Sequence, residues 1–232
     1  MTKCSYIRLK LLAFDTSTEW CSAALWVDGE VRFTAVEAGQ THSRILLPMV
    51  RALLAEAGLT LGGLDVLAYG KGPGAFTGLR IACSVAQGLA MGAGLPVLGV
   101  VTLEAMAEET GADQVVSCLD ARVGEVYAAV LQRGADRWMA LSGPGLYRPE
   151  AAPLPPEGQW IGCGSAFAAY PQQLGGRYAE RLVATRAEII PHARSIARLA
   201  AAAFARGERL PAEAAEPYYV RDKVAQKRSE RT

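Results

Sequence analysis

The sequence predicts an α/β protein built from two β-rich halves, in which mixed β-sheets are flanked by helices. Residues 9–37 have the pattern of three short strands joined by tight turns, which is typical of an antiparallel meander. Helices and strands then alternate as far as residue 101, so the order in the first half is β-β-β-α-β-α-β. A second run of strands begins near Gly111, so the two halves open alike, although no repeat recurs at a fixed period.

The first half is predicted to begin with a buried strand at 9–15, which ends in Asp15. Asp28-Gly29 is a hairpin signal and joins the next two strands. A helix follows, with apolar residues at helical spacing, Pro48 inside it and Gly58 as its stop. The predicted elements of this half are strands at 9–15, 21–27, 30–37, 64–69 and 97–101, helices at 43–57 and 79–91, and a glycine-rich loop at 71–78.

The second half is predicted to contain further strands and one strong alanine-rich helix. The stretch from 143 to 158 is rich in Pro and Gly, and we expect it to be an exposed connection. The predicted elements are strands at 115–119, 126–131, 138–141, 160–163 and 182–184, with helices at 165–174 and 192–206. We therefore divide the chain into an N-terminal lobe (1–104), a smaller and degenerate C-terminal lobe (105–216) and a basic tail (217–232).

Composition excludes several classes of protein. The chain has 24 basic and 23 acidic residues, whereas a globally basic nucleic-acid binder has a clear excess of Lys and Arg. Five cysteines with no C-x-x-C pair argue against a disulfide framework or a zinc ribbon, so we expect reduced, mostly buried thiols.

One long stretch without charged residues has two interpretations, a membrane span or part of a buried core. Residues 81–103 are long enough to cross a bilayer, but they contain the segment G-A-G-L-P at 92–96, which predicts a helix stop and a turn. A buried helix, a loop and a buried strand explain the stretch better. With no signal peptide evident, the sequence predicts a soluble, cytoplasmic protein.

Two segments are candidates for an anion site. The turn D-T-S-T offers hydroxyl and backbone donors from Thr16, Ser17 and Thr18 beside the carboxylate of Asp15, although such a turn can equally satisfy only its own hairpin. The loop K-G-P-G-A-F-T-G contains Gly72, Gly74 and Gly78, which permit close backbone approach, and its Thr77 could cap the next helix. The loop matches neither a Walker A loop nor G-x-G-x-x-G, so its spacing alone is weak support for a nucleotide.

Five blocks, in order, resemble the TsaB (YeaZ) family, and the resemblance covers the chain from about residue 12 to 227. They are D-T-S-T at 15–18, H-S-R-I-L-L-P at 42–48, G-P-G-A-F-T-G-L-R-I-A at 72–82, C-L-D-A-R-V-G-E-V-Y at 118–127 and P-Y-Y-V-R-D-K-V-A-Q-K at 217–227. The resemblance implies the two-lobed, ribonuclease H-like fold of the actin, Hsp70 and sugar-kinase (ASKHA) superfamily. It also implies a role in making threonylcarbamoyladenosine in tRNA. In that system the paralogue TsaD carries the metal and transfers the threonylcarbamoyl group to an adenosine next to the anticodon.

The resemblance implies that this chain is a non-catalytic scaffold. TsaB proteins bind and support TsaD, form homodimers in its absence, and work with TsaE, an ATPase; tRNA is then reached only through the complex. A nucleotide at the subunit interface is the one cofactor left open, and Asp15, Thr16, Ser17, Thr18, Gly72 and Gly74 are its candidate ligands.

The number and spacing of the histidines argue against a metal site of the TsaD type. TsaD holds its metal with an H-x-x-x-H pair, which places two imidazoles one helical turn apart. This chain has two histidines, His42 and His192, and position 46 is a leucine. We expect both histidines at helix starts, with His42 packed or capping and His192 at the surface. The alternative is a weak ATPase or phosphotransferase that uses Asp15 and the loop at 72–78, but Ala121 and Arg122 replace the expected small turn after Asp120.

The two helices of the first half are the predicted partner surface, because they are apolar on more than one face and rich in small residues. The tail has two interpretations: it could help to hold tRNA, or it could be solvated while Tyr218 and Tyr219 dock on their own domain. The predicted interface residues are Ile45, Leu46, Met49, Val50, Leu53, Ala82, Cys83, Ala86, Leu89 and Ala90.

Overall fold

The fold, taken from a computed structural model that describes residues 9–220, consists of two five-stranded β-sheets with helices on their faces. The first sheet contains β1 (Lys10–Asp15), β2 (Trp20–Val27), β3 (Glu30–Glu37), β4 (Val66–Gly72) and β5 (Val97–Val101). The second contains β6 (Gln114–Arg122), β7 (Glu125–Arg133), β8 (Trp138–Tyr147), β9 (Trp160–Cys163) and β10 (Leu182–Arg186). The helices are α1 (His42–Glu56), α2 (Phe76–Ala93), α3 (Thr102–Thr110), α4 (Ala166–Ala169), α5 (Pro171–Tyr178) and α6 (Ala193–Ala205).

The two sheets have the same topology. The strand orders are β3-β2-β1-β4-β5 and β8-β7-β6-β9-β10. In each, three antiparallel strands form a meander, and the first of them pairs in parallel with the fourth, which pairs in parallel with the fifth. This confirms the predicted two-lobed fold of the actin and sugar-kinase type. The shared topology also makes the end of β1 and the end of β6 equivalent places in the two lobes.

Alternation along the strands divides the core of the first lobe into two layers. Leu12 and Phe14 point to the layer that α1 and α2 cover. Leu11 and Ala13 point to the opposite layer, which contains Ile196 and its neighbours on α6. The first sheet is therefore buried on both faces, and α6, which follows the second sheet in the chain, returns to pack on the first.

The second sheet is covered in the same manner. Val116 and Cys118 pack with residues of α4 and α5, whereas Val115 and Leu119 pack with residues of α3. The division at residue 104 remains a prediction, because α3 begins at Thr102 and packs on the second sheet.

Three elements differ from the sequence-based prediction. The single helix predicted at 165–174 is wrong, because the chain forms two helices there, α4 and α5, which are separated by the non-helical Tyr170. The helix α3 was not predicted, because it follows β5 without an intervening residue and has no side-chain cap that would mark its start. The predicted exposed connection at 143–158 is wrong at its beginning, since β8 continues to Tyr147 and Ala152 is fully buried. Pro144 is tolerated in β8 because this strand lies at the edge of the sheet, where an N–H is not needed for a further strand.

The cysteines and the uncharged stretch agree with the predictions. Cys21, Cys83, Cys118 and Cys163 are free and buried, while Cys4 lies outside the described residues. Residues 81–103 form most of α2, then β5 and the first residues of α3. Within residues 9–220, no helix is long and apolar enough to span a bilayer.

Candidate functional site

A cleft of about 1000 Å³ lies between the two sheets, at the ends of their first strands. One wall comes from the turn after β1 and from the first turn of α2, and the other comes from the end of β6 and from α4. Tyr218, Tyr219 and Val220 also line the cleft. Its lining includes Ser17, Thr18, Glu19, His42, Gly74, Phe76, Thr77, Asp120, Arg122, Tyr127 and Ser165.

The D-T-S-T turn contributes only part of itself to this cleft. Ser17 and Thr18 line it, whereas Asp15 and Thr16 are 1% and 0% exposed and lie behind them. Both the backbone N–H and the hydroxyl of Ser17 donate to Asp15 Oδ1, at 2.9 and 2.8 Å. Asp15 Oδ2 is buried with no partner among the described residues, and burial raises the pKa of this carboxyl to about 6.

The space next to the glycine-rich loop is occupied by the D-T-S-T turn of the same chain. The hydroxyl of Thr16 donates to the carbonyl oxygen of Gly78 at 2.7 Å, and Ala75 N–H donates to the carbonyl oxygen of Ser17 at 2.7 Å. A Cβ on Gly78 would overlap the carbonyl oxygen of Thr16, and one on Gly74 would meet the backbone of Ser17. These glycines therefore let the loop approach the D-T-S-T turn, which accounts for them without a phosphate.

Gly72 has a related role toward the C-terminal segment. It has φ +119°, and a Cβ there would lie 2.7 Å from the carbonyl oxygen of Tyr218. The predicted cap at Thr77 is wrong, because α2 begins at Phe76 and Thr77 lies in its first turn.

The candidate ligands of a nucleotide are of two kinds: some are buried, and others line the cleft. Nucleotide binding at the cleft residues Ser17, Thr18 and Gly74 stays a prediction.

The second lobe places Asp120 near the end of β6, as predicted for the equivalent of Asp15. Unlike Asp15, Asp120 lines the cleft: its Oδ1 accepts from the Tyr170 hydroxyl at 3.0 Å and from Arg122 N–H at 2.8 Å. Arg122 and Val123 have positive φ, and the Val123 side chain at this hairpin tip is 84% exposed. The two strands that this turn joins were predicted from the sequence, but the left-handed backbone at Arg122 and Val123 was not, because neither residue is a glycine.

Both histidines lie at helix starts. His42 is the first residue of α1, with Nε2 3.3 Å from the carbonyl oxygen of Trp20. His192 caps α6 by accepting from Arg194 N–H at 3.3 Å. The prediction that His192 lies at the surface is wrong: it is 8% exposed, and its ring packs edge-on against Phe33. Burial lowers the pKa of His192.

Most of the residues predicted to form the partner interface are buried in the core of the first lobe. Of the ten, only Ile45 and Leu89 are partly exposed. The other eight are at most 9% exposed and pack in the layer between the two helices and the first sheet: Leu46, Met49, Val50, Leu53, Ala82, Cys83, Ala86 and Ala90. Small side chains on α2 therefore bring that helix close to its own sheet.

The outer surfaces of α1 and α2 nevertheless carry apolar and small residues. Met91 is 64% exposed and Leu47 is 36% exposed. On α2 the exposed positions Ser84, Gly88 and Gly92 recur at a spacing of four, so they form one stripe along the helix. We call this surface the outer helix face; its exposed or partly exposed residues are Ile45, Leu47, Pro48, Ala52, Ala55, Ser84, Val85, Gly88, Leu89, Met91 and Gly92.

Comparison with known proteins agrees on one family. A family model described as TsaD, tRNA N6-adenosine threonylcarbamoyltransferase, matches residues 35–228. The tRNA threonylcarbamoyladenosine biosynthesis protein TsaB of Escherichia coli (strain K12) is 38% identical over 228 residues, which is 95% of this chain and 98% of that protein. TsaB of Haemophilus influenzae is 36% identical and covers 95% of this chain and 97% of its own length.

Solved structures show the same relationship. A Pseudomonas aeruginosa protein, described as uncharacterized and similar to the peptidase YEAZ, has a TM-score of 0.86 and 40% identity, over 92% of this chain and all of that one. A structure described as YeaZ from Pseudomonas aeruginosa has a TM-score of 0.82 and 40% identity, over 91% of this chain and 99% of that one. Two relatives that this chain spans almost end to end, and the matching folds, show that the chain belongs to the TsaB (YeaZ) family.

Proposed function

We propose that this chain takes part in threonylcarbamoyladenosine formation in tRNA as a non-catalytic subunit, which binds and supports a TsaD-like transferase. The pathway is the one that the relatives' names give. The observation that carries the partner-binding role is the outer helix face, where Met91 and Leu47 expose apolar side chains beside a stripe of small residues. Small residues allow a second helix to approach closely, so this surface fits a helix pair from a partner.

The position of Leu46 supports the non-catalytic role. An H-x-x-x-H pair on α1 would need a histidine there, one turn after His42, but Leu46 is fully buried in the core of the first lobe. A ligand at that position would have to leave the core to reach a metal in the cleft. The burial of Asp15 likewise gives no support to the alternative ATPase, because the carboxyl lies behind Ser17 and outside the cleft lining.

The same face offers a surface for a homodimer when the transferase is absent. In this proposal one surface serves both partners, so the heterodimer forms at the expense of the homodimer. A TsaE-like ATPase joins the heterodimer, and tRNA is engaged by the assembled complex.

A charge placed on the outer helix face tests the proposal without disturbing the fold. Gly88 is an exposed residue in the interior of α2, and a Cβ there meets nothing within 4 Å. Gly88→Glu therefore introduces a buried charge only when a partner covers α2. Gly175→Glu is the matched control, because Gly175 is an exposed glycine inside α5 with the same open surroundings.

The measurement is size-exclusion chromatography with light scattering, for each variant alone and mixed with the transferase subunit of the same organism. We expect unchanged protein and Gly175→Glu to form a heterodimer, and Gly88→Glu to remain separate with an unchanged circular dichroism spectrum. A heterodimer of normal stability with Gly88→Glu would place the interface elsewhere. Nucleotide hydrolysis by the isolated chain that Asp15→Ala abolishes would replace the proposal with the ATPase alternative.

A further inference from the structure

The last described residues form an aromatic and cationic surface together with the start of α2. Tyr218 N–H donates to the carbonyl oxygen of Lys71 at 2.7 Å, which fixes the backbone of this segment against the end of β4. Tyr218 and Tyr219 nevertheless keep 38% and 41% of their surface exposed. The Phe76 and Tyr219 rings lie 5.4 Å apart between centroids, at an interplanar angle of 33°. We call Phe76, Arg80, Tyr218 and Tyr219 the aromatic–arginine patch.

Arg80 is held in this patch by stacking on one aromatic ring and by a hydrogen bond to another. Its guanidinium carbon lies 3.7 Å from the Phe76 ring centroid, and its Nε–H donates to the Tyr219 hydroxyl at 3.0 Å. Within residues 9–220, Arg80 forms no ion pair with a carboxylate, and neither Nη nitrogen donates a hydrogen bond. An exposed guanidinium that is already oriented, and whose Nη donors are unused by residues 9–220, suits a phosphate.

A buried hydroxyl holds the patch in place. The Tyr69 hydroxyl donates to the carbonyl oxygen of Glu216 at 3.0 Å and accepts from its N–H at 2.9 Å, although the Tyr69 side chain is 2% exposed. Burial raises the pKa of Tyr69 to about 12, so this hydroxyl keeps its proton at neutral pH. The segment before the two tyrosines is therefore held against the core of the first lobe by hydrogen bonds to its backbone.

We infer that the aromatic–arginine patch binds a single-stranded segment of nucleic acid, with bases stacked on Tyr218 and Tyr219 and a phosphate on Arg80. Exposed aromatic rings beside an arginine are the combination by which proteins hold single strands without reading their sequence. The patch borders the cleft, since Tyr218, Tyr219 and Phe76 all line it, so a strand here can reach the opposite lobe. There the Arg122 side chain is 78% exposed, and its Nη1 lies 3.4 Å from Asp120 Oδ2 in an ion pair. The inference rests on the proposed function, because it gives the RNA of that pathway a direct contact with this subunit.

The test is fluorescence anisotropy of a labelled 12-nucleotide oligoadenylate with the full chain at low salt. We expect saturable binding that the double variant Tyr218→Ala/Tyr219→Ala weakens by about 25-fold or more, since each of the two stacked bases is worth about fivefold or more on truncation. Arg80→Ala should reduce the slope of log K against log salt by about 0.7, which is the loss of one phosphate contact on a single strand. Arg137→Ala removes another exposed arginine, which pairs with Asp136 in the turn before β8, and is the control.

Several outcomes would overturn the inference. One is the absence of saturable binding, and another is equal weakening by Arg80→Ala and Arg137→Ala. An abasic strand of the same length that binds as tightly as oligoadenylate would show that charge alone is read. Competition by polyglutamate as effective as by RNA would assign the patch to an acidic protein segment instead.

The two proposals fail separately. Tyr218→Ala/Tyr219→Ala should lose RNA binding but still form the heterodimer in the chromatographic assay. Gly88→Glu should show the reverse. If every variant bound oligoadenylate equally while Gly88→Glu still lost the partner, the RNA contact would be wrong and the partner-binding role would stand.

Discussion

The buried carboxyl of Asp15 makes the stability of this protein depend on pH in an unusual direction. Its pKa is raised from an ordinary value of 3.8 to about 6, and burial is the largest cause, only partly offset by the two hydrogen bonds from Ser17. The folded state therefore holds this proton more tightly than the unfolded state does. The stabilisation is fully present below the unfolded pKa and is lost as the pH rises through about 6.

The magnitude follows from the size of the shift. One pKa unit corresponds to about 1.36 kcal/mol, so the full effect is about 3 kcal/mol, and about 2–3 kcal/mol of it falls between pH 4 and pH 7. Asp15→Asn keeps an acceptor for Ser17 but cannot titrate. Any effect of the amide itself does not depend on pH. The difference in free energy of unfolding, unchanged protein minus Asp15→Asn, should therefore fall by about 2–3 kcal/mol as the pH rises from 4 to 7.

Urea denaturation followed by tryptophan fluorescence at several pH values between 4 and 7 provides the measurement. Taking the difference between the two proteins cancels the contributions of the other titrating groups. One of these is Glu109, whose pKa is lowered, so its contribution to stability rises with pH instead of falling. A difference that stays constant from pH 4 to pH 7 would refute the reasoning. It would mean that the Asp15 carboxyl reaches water or a partner that neutralises the cost of burial.

Two further predictions concern packing and a partly buried ion pair. Gly78→Ala should destabilise the protein by about 1–3 kcal/mol or more, because the new Cβ meets the backbone oxygen of Thr16; Gly88→Ala on the same helix should stabilise it by about 0.5–1 kcal/mol, since open space surrounds it. Thermal denaturation of the pair checks this, and equal melting temperatures would contradict it. Glu109→Gln should cost about 1–2 kcal/mol in urea denaturation, because Arg194 lies 2.6 Å from the Glu109 carboxylate, with the value kept low by the 36% exposure of the arginine. An unchanged urea midpoint would show that this pair contributes nothing to stability.

Local patterns in the sequence determined most of the elements. Strands at 9–15 and 30–37 follow from short apolar or β-branched runs, and Asp28-Gly29 specifies the tight turn. These signals depend on neighbours in the chain, so they can be interpreted without a structure. The helix α3 escaped prediction because its start has no local signal: it begins where β5 ends, and its apolar residues are matched to the second sheet, which comes later in the chain.

The motif blocks identified the family, but their physical roles were decided by contacts between distant segments. Nothing near Gly78 shows that its missing side chain admits Thr16, which is 62 positions earlier. The same holds for Gly72 and Tyr218, where a glycine in one block makes room for a carbonyl oxygen in another.

Which side of a helix meets the core is also a property of the assembled sheet. The sequence by itself determined that α1 and α2 are apolar on more than one side, and it placed Leu46 and Ala86 among the candidates for a partner. Only the tertiary structure decided that both are fully buried against the first sheet, while Leu47, Gly88 and Met91 face outward. Apolar residues on two sides of a helix are equivalent in the sequence, and they become different only when one side is covered by strands.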